Sequence, residues 1–158
     1  GVVYEPNLDQ LFVGVQGQGA TRNGKKIHVS PVSSLNRAML TTGFAYSIHR
    51  SFRNQGEIED NNMKHFENFL RNAQAVRRDG VAAVDLCYVA CGRFDGFWEL
   101  DLWSWDTAAA VVILQEAGGC VTQFDGSPFS VYDKEIVASN GVLHAPMVKI
   151  LSKGRSHG

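Results

Sequence analysis

The stretch WELDLWSWDTAAAVVILQEAGG, residues 98–119, decides how the rest of the chain is read. Its second half is a run of helix-forming and apolar residues that stops at Gly118-Gly119, as a helix does. No polar stripe runs along AAAVVIL, so a helix here must be covered on every side. Asp106 stands at the start of that helix, with Glu99 and Asp101 just before it and all three tryptophans of the chain close by. An acid opening a helix is ordinarily an N-cap, favoured by the free amides and the helix dipole. At the mouth of a buried helix it also stands on the floor of a cleft, where a carboxylate suits a hard cation such as Mg²⁺. Both roles can coexist. Glu99 reads either as an exposed strand-end acid or as an acceptor for hydroxyls of a polar substrate, and Asp101 as a loop residue.

Upstream, residues 1–6 and 11–15 are β-rich runs. The pair Asn23-Gly24 is a strong hairpin signal, after which residues 26–29 resume a strand. Three or four antiparallel strands are predicted, and such a sheet needs a further layer to cover its apolar face. The pattern then changes. A strand over 39–42 ends at Gly43, apolar residues at helical spacing span 57–73, and 75–77 is a short strand. Helices are predicted over 81–90 and 107–117, strands over 94–100, 121–124 and 136–138, and a closing helix over 142–151 before a frayed tail. The fold class is α/β: antiparallel strands of a truncated first sheet, then a mostly parallel sheet with helices. Residues 1–33 read as the last strands of a truncated N-terminal sheet domain and 34–158 as a C-terminal α/β domain.

The bulk properties exclude several function classes. Of 158 residues, 44% are hydrophobic and 20% charged, which is ordinary for a globular chain. A net charge of −1 gives no electrostatic case for nucleic acid or an anionic membrane as partner. No apolar run approaches the roughly 18–20 residues of a membrane span. The three cysteines, Cys87, Cys91 and Cys120, lack metal-ligand spacing and read as core thiols in a reducing compartment. The expected location is cytoplasmic, or an organelle if a targeting segment lies upstream.

Tests for nucleophilic chemistry are negative: there is no GxSxG or HExxH, and the five histidines keep no known catalytic spacing. GQGATRNG lacks the Lys-Ser/Thr of a phosphate-binding loop and precedes a strand, so it reads as a hairpin. In RRDGVAAVDL, Gly80 marks a strand-to-helix turn that leaves the amides of Val81 and Ala82 free at a helix start. Such amides bind anions or polar oxygens, although a tight turn alone also explains the glycine.

WDTAA followed by EAGG, at residues 105–109 and 116–119, resembles the C-terminal signature of the inositol monophosphatase family. The opening GVVYEPNLDQLFVGVQGQGATRNGKKIHVS looks like the strand-and-hairpin segment after that family's first metal motif. RRDGVAAVDLCYVACGRFDGFWEL is similar to its substrate-side segment. The resemblance runs in order to about Leu151. It implies a layered sugar-phosphatase fold, a Mg²⁺-dependent phosphomonoesterase, a small-molecule phosphate ester as substrate, and a homodimer in the full-length form. By motif match Asp106 is the metal ligand and Glu99 contacts inositol hydroxyls. Gly80, Val81 and Ala82, with Asp106, line the substrate pocket. Two departures stand out. Ala110 replaces a glycine common in the family, and the upstream Glu and DPxDGT motif have no counterpart in this chain. The chain is therefore expected to be the C-terminal part of a longer enzyme, inactive alone, with its water-activating residues upstream. The alternatives are a histidinol-phosphate phosphatase of the same family and a non-catalytic module that keeps only the fold.

Overall fold

A computed structural model describes residues 1–44 and 62–154. The first residues build an antiparallel sheet in the order β1 (Val2–Glu5), β2 (Gln10–Val15), β3 (Gly19–Arg22) and β4 (Lys25–Lys26). Arg22 pairs with Lys25 across the Asn23-Gly24 loop, where both residues have positive φ, 50° and 75°. That is the turn whose twist matches the strands, and glycine adopts it freely. The strand expected over 26–29 ends at Lys26. Ile27 turns into the core, and Val29 donates its N–H to Ala117 rather than to a strand.

The second sheet comprises β5 (Met39–Thr42), β6 (Ala75–Arg77), β7 (Gly96–Leu100), β8 (Cys120–Thr122) and β9 (Glu135–Ser139), in the order β6-β5-β7-β9-β8. β5 runs parallel to β6 and β7, whereas β9 runs antiparallel to β7 and β8. The sheet is thus mixed, and the expected parallel pairing belongs to its β6-β5-β7 half. The reason is the connections. α1 (Met63–Leu70) follows β5 and α2 (Ala82–Ala90) follows β6, whereas no helix joins β8 to β9. The helix expected over 57–73 begins outside the described residues. The closing helix α4 (His144–Gly154) runs past residue 151, where a frayed tail was expected.

α2 and α3 (Ser104–Glu116) form a layer between the sheets. One apolar cluster joins Phe12 and Ala20 of the first sheet to Leu86 and Val89 of α2, Ile113 and Leu114 of α3, and Phe97 and Ala138 of the second. This explains the apolar run of α3, although Ala108 is exposed, so the helix is not covered on every side as expected. A Cβ at Gly14 on β2 would lie 2.7 Å from Ile113 Cα, so the strand lies almost on the helix backbone. Ala110, where the resemblance leads one to expect a glycine, is in this core and away from the cavity described below. Each fully buried Ile or Leu contributes about 1.5–3 kcal/mol. On the other face of the second sheet, α1 and α4 bury Phe69, Trp98, Leu143, Met147 and Leu151.

The segment between the sheets is tied down by polar groups. Asp95 accepts from the Ser30 hydroxyl and from the Met39 N–H at 2.7 Å, and Asn140 Nδ2 donates to Val32 O at 2.7 Å. Among the described residues no helix is long and apolar enough to cross a membrane.

Candidate functional site

The end of β7, the turn before α2 and the start of α3 converge on a cavity of about 420 Å³. Gly80, Val81, Ala82, Glu99 and Asp106 all line it, together with Gly43, Arg78, Asp79 and Trp105. The sequence expectation had placed the first five near a substrate, and the fold brings them together.

Glu99 overturns its ordinary reading as an exposed strand-end acid, for it is only 8% exposed. Its carboxylate lies against Gly43, at the end of the neighbouring strand. A Cβ added at Gly43 would overlap Glu99 Oε1, so no other residue fits there with Glu99 in place. Burial pushes the Glu99 carboxyl up to about 8, helped by the charges of Asp85 and Asp106 and opposed by the Arg78 guanidinium. An acid so placed gains most from a hydroxyl or cation that replaces its lost water.

Asp106 is not an N-cap. The helix begins three residues earlier than expected, with Trp103 as its cap in extended conformation and Asp106 at the third helical position. From there Asp106 Oδ2 accepts the Trp103 N–H at 2.9 Å, while the Asp106 N–H bonds Trp103 O. The carboxylate closes the helix start from inside, which orients it while it borders the cavity. Asp101 is exposed in the connecting loop, at φ 59°.

Gly80 has φ 89°, a left-handed conformation that turns the chain from β6 into α2. Val81 is extended and caps α2, so the helix starts at Ala82, one residue later than expected. The first amides of a helix have no partner within it, which gives this wall its capacity for oxygen ligands.

Sequence reasoning missed Gly43, Arg78, Asp79 and Trp105. The adjacency of Arg78 and Asp79 to Gly80, and of Trp105 to Asp106, could have flagged these three, whereas nothing local marks Gly43. The tryptophans divide: Trp98 is core, donating Nε1–H to Asn62 at 2.6 Å. Trp103 and Trp105 are exposed and stacked, their centroids 5.1 Å apart. Cys87 and His144 do not line the cavity. Cys87 is buried, its thiol pushed up to about 12. His144 bonds Thr122 Oγ1 at 2.8 Å and Ser139 Oγ at 3.1 Å at the start of α4.

The cavity's carboxylates suit the oxygen chemistry of Mg²⁺. Yet among the described residues no three of His, Cys, Asp and Glu group as a metal centre. Mg²⁺ requires six oxygens in near-octahedral array, so these residues fit one part of its shell and not a whole site.

Comparison with known proteins bears on the family and the fold. The inositol monophosphatase family model matches residues 1–156. The chain is 42% identical over 152 residues to the inositol-1-monophosphatase of Synechocystis, covering 96% of this chain and 50% of that protein. It is 39% identical over 151 residues to the putative Nus factor SuhB of Neisseria meningitidis serogroup B, covering 96% of this chain and 55% of that one. The solved inositol monophosphatase of Anabaena superposes with a TM-score of 0.90 at 44% identity, over 97% of this chain and 58% of that structure. The chain thus spans about half the length of these relatives. A family match from end to end, on a backbone that superposes on a solved member, means that the chain belongs to the inositol monophosphatase family.

Proposed function

We propose that this chain supplies the substrate side and one metal ligand of a Mg²⁺-dependent hydrolase of polyol phosphate monoesters, inositol phosphates foremost. The observation that carries this reading is the convergence of Gly80, Val81, Ala82, Glu99 and Asp106 on one cavity. In it Glu99 accepts hydrogen bonds from polyol hydroxyls, and the amides at the start of α2 receive substrate oxygens. Asp106, steadied by the Trp103 N–H, would hold Mg²⁺. When bound, the ion neutralises phosphate charge and lowers the pKa of water. In the reaction, water oxygen bonds to phosphorus as the ester P–O bond breaks, releasing polyol and inorganic phosphate. The residues that position that water lie in the other half of the protein. The same reading takes residues 1–33 as the end of a larger sheet domain, 34–158 as the α/β domain, and the full-length form as a homodimer.

The test is a chimera in which this chain replaces the matching half of the Synechocystis relative. Phosphate release is measured from inositol 1-phosphate, histidinol phosphate and 4-nitrophenyl phosphate, with and without Mg²⁺. Magnesium-dependent turnover that favours the polyol ester supports the proposal, whereas preference for histidinol phosphate moves it to that substrate. A folded but inactive chimera, beside an active parent, would sink the enzymatic reading. It would favour instead a module that keeps the fold without the chemistry. The naming of the Neisseria relative as a putative Nus factor is the observation that keeps this second reading in play.

A further inference from the structure

Beneath the cavity wall lies an acid for which the proposed reaction has no use. Asp85 sits in the first turn of α2, among apolar neighbours in the run VAAVDLCYVA. It is fully buried, and so is Thr41 on β5. Asp85 Oδ1 and Oδ2 and Thr41 Oγ1 have no hydrogen-bond partner in regular geometry, although the Thr41 hydroxyl lies close enough to favour the ionised carboxyl. An apolar side chain of the same size would make a more stable core, so a lone buried acid points to function.

The sheet register shows what it faces. Thr41 pairs with Phe97 between β5 and β7, so its side chain shares a sheet face with Phe97 and, two residues on, with Glu99. α2 covers that face, since Phe97 packs in one cluster with Leu86 and Val89. The Glu99 carboxylate lies across the end of β5, against Gly43. Asp85, Thr41 and Glu99 therefore occupy one enclosed layer between α2 and the sheet. The charges agree with this placement. Asp85 acts on Glu99 more strongly than Asp106 does, Arg78 opposes both, and Asp79 is the acid that acts on Asp85.

We propose that Asp85 is a positioning residue for Glu99: with Thr41 it forms the polar floor that fixes the face Glu99 turns to the substrate's hydroxyls. This rests on the reading of Glu99 as the polyol ligand.

Asp85→Leu and Asp85→Asn are made in the chimera and compared on inositol 1-phosphate and on 4-nitrophenyl phosphate, which lacks hydroxyls. Asp85→Leu should leave Tm unchanged or raised, because the buried polar group is gone. It should raise KM for inositol 1-phosphate about tenfold, the size of one lost polar contact, with kcat on either ester altered less than about twofold. Asp85→Asn, which keeps the shape and an acceptor oxygen for Thr41, should restore KM to within about threefold of the unmodified chimera. A lowered Tm in both variants with equal losses on both esters would assign Asp85 to structure and overturn the proposal. An unchanged KM would overturn it as well. If the unmodified chimera turns over no ester, the phosphatase reading fails. The carboxyl ¹³C signal of Glu99 then decides the matter. A titration midpoint moved by Asp85→Leu by about one pH unit or more supports the positioning role, and an unmoved one overturns it.

Discussion

Glu99 and Asp106 are seven positions apart, and burial treats them differently. Glu99 is almost enclosed, with a carboxyl raised from 4.5 to about 8, whereas Asp106 is half-buried and tied to a backbone amide. Their substitutions should differ accordingly. In the chimera, Asp106→Asn is expected to lower phosphatase activity at least ~10²-fold with little change in Tm. The amide oxygen of Asn can still accept the Trp103 N–H, but it is a poor ligand for Mg²⁺. Activity close to that of the unmodified chimera at saturating Mg²⁺ would remove Asp106 from the metal site. Glu99→Gln should cost about 1.5–3 kcal/mol in kcat/KM on polyol phosphates above about pH 8, where the carboxyl is charged, and less below it, with Mg²⁺ dependence unchanged. It should also change the pH profile of stability. A carboxyl raised in the folded state contributes stability that is full below its unfolded value and is lost as pH rises through the folded one. Glu99 therefore weakens the fold between 4.5 and about 8. Melting curves without metal should show Glu99→Gln losing less Tm than the unmodified chain from acid to mildly alkaline pH. Identical slopes would mean that Glu99 is not buried as described.

The helix α3 shows how one element serves both packing and chemistry. Its N-terminal turn carries Asp106, its middle carries the core residues Ile113 and Leu114, and its last residue grips the first sheet. Glu116 accepts the Gly17 N–H at 2.9 Å on one carboxylate oxygen and the Gly19 N–H at 2.8 Å on the other. The glycine-rich loop thus does bind an anion, a side chain of its own molecule. These backbone bonds hold the Glu116 carboxyl below its ordinary value of 4.5. The linkage has the opposite sign to that of Glu99: the stability is present above the unfolded pKa and is lost as pH falls through the folded one. Glu116→Gln is accordingly expected to lower Tm at neutral pH and to flatten its fall on acidification, as read by circular dichroism from pH 7 downward. An unchanged acid slope would show that the clamp does not form in solution. The run EAGG was legible as a helix end, but Glu116 as a clamp was not, because its partners lie about a hundred positions away in the chain.

Across the whole molecule, the helical layer between the sheets makes one core of what the sequence divides at residue 33. The outer side of the first sheet still exposes Tyr4, Leu11 and Val15. Apolar strand residues left open in this way favour association. Expressed alone, the 158-residue chain should release no Mg²⁺-dependent phosphate from inositol 1-phosphate above background and should self-associate in sizing experiments. The carboxylates of this cavity do not make a whole Mg²⁺ shell, and on the proposed reading the attacking water is positioned by groups outside these residues. Turnover by the chain alone would refute this, and recovery on mixing with the other half of the Synechocystis relative would support it.

The sequence by itself determined whatever depends on neighbours in the chain. The Asn23-Gly24 hairpin, the buried character of α3, the Gly80 turn and the WDTAA…EAGG resemblance were all legible because turn chemistry, periodicity and motif spacing are local. The tertiary structure alone decided the rest. It set the antiparallel half of the second sheet, the helix start that makes Asp106 an internal cap, and the contact of Glu99 with Gly43. It also buried Asp85 and put Thr41 on the sheet face that carries Glu99. The physical reason is that a carboxyl's protonation and a glycine's necessity depend on what is packed against them. Those neighbours come from strands and helices tens of residues apart, which no window of sequence contains.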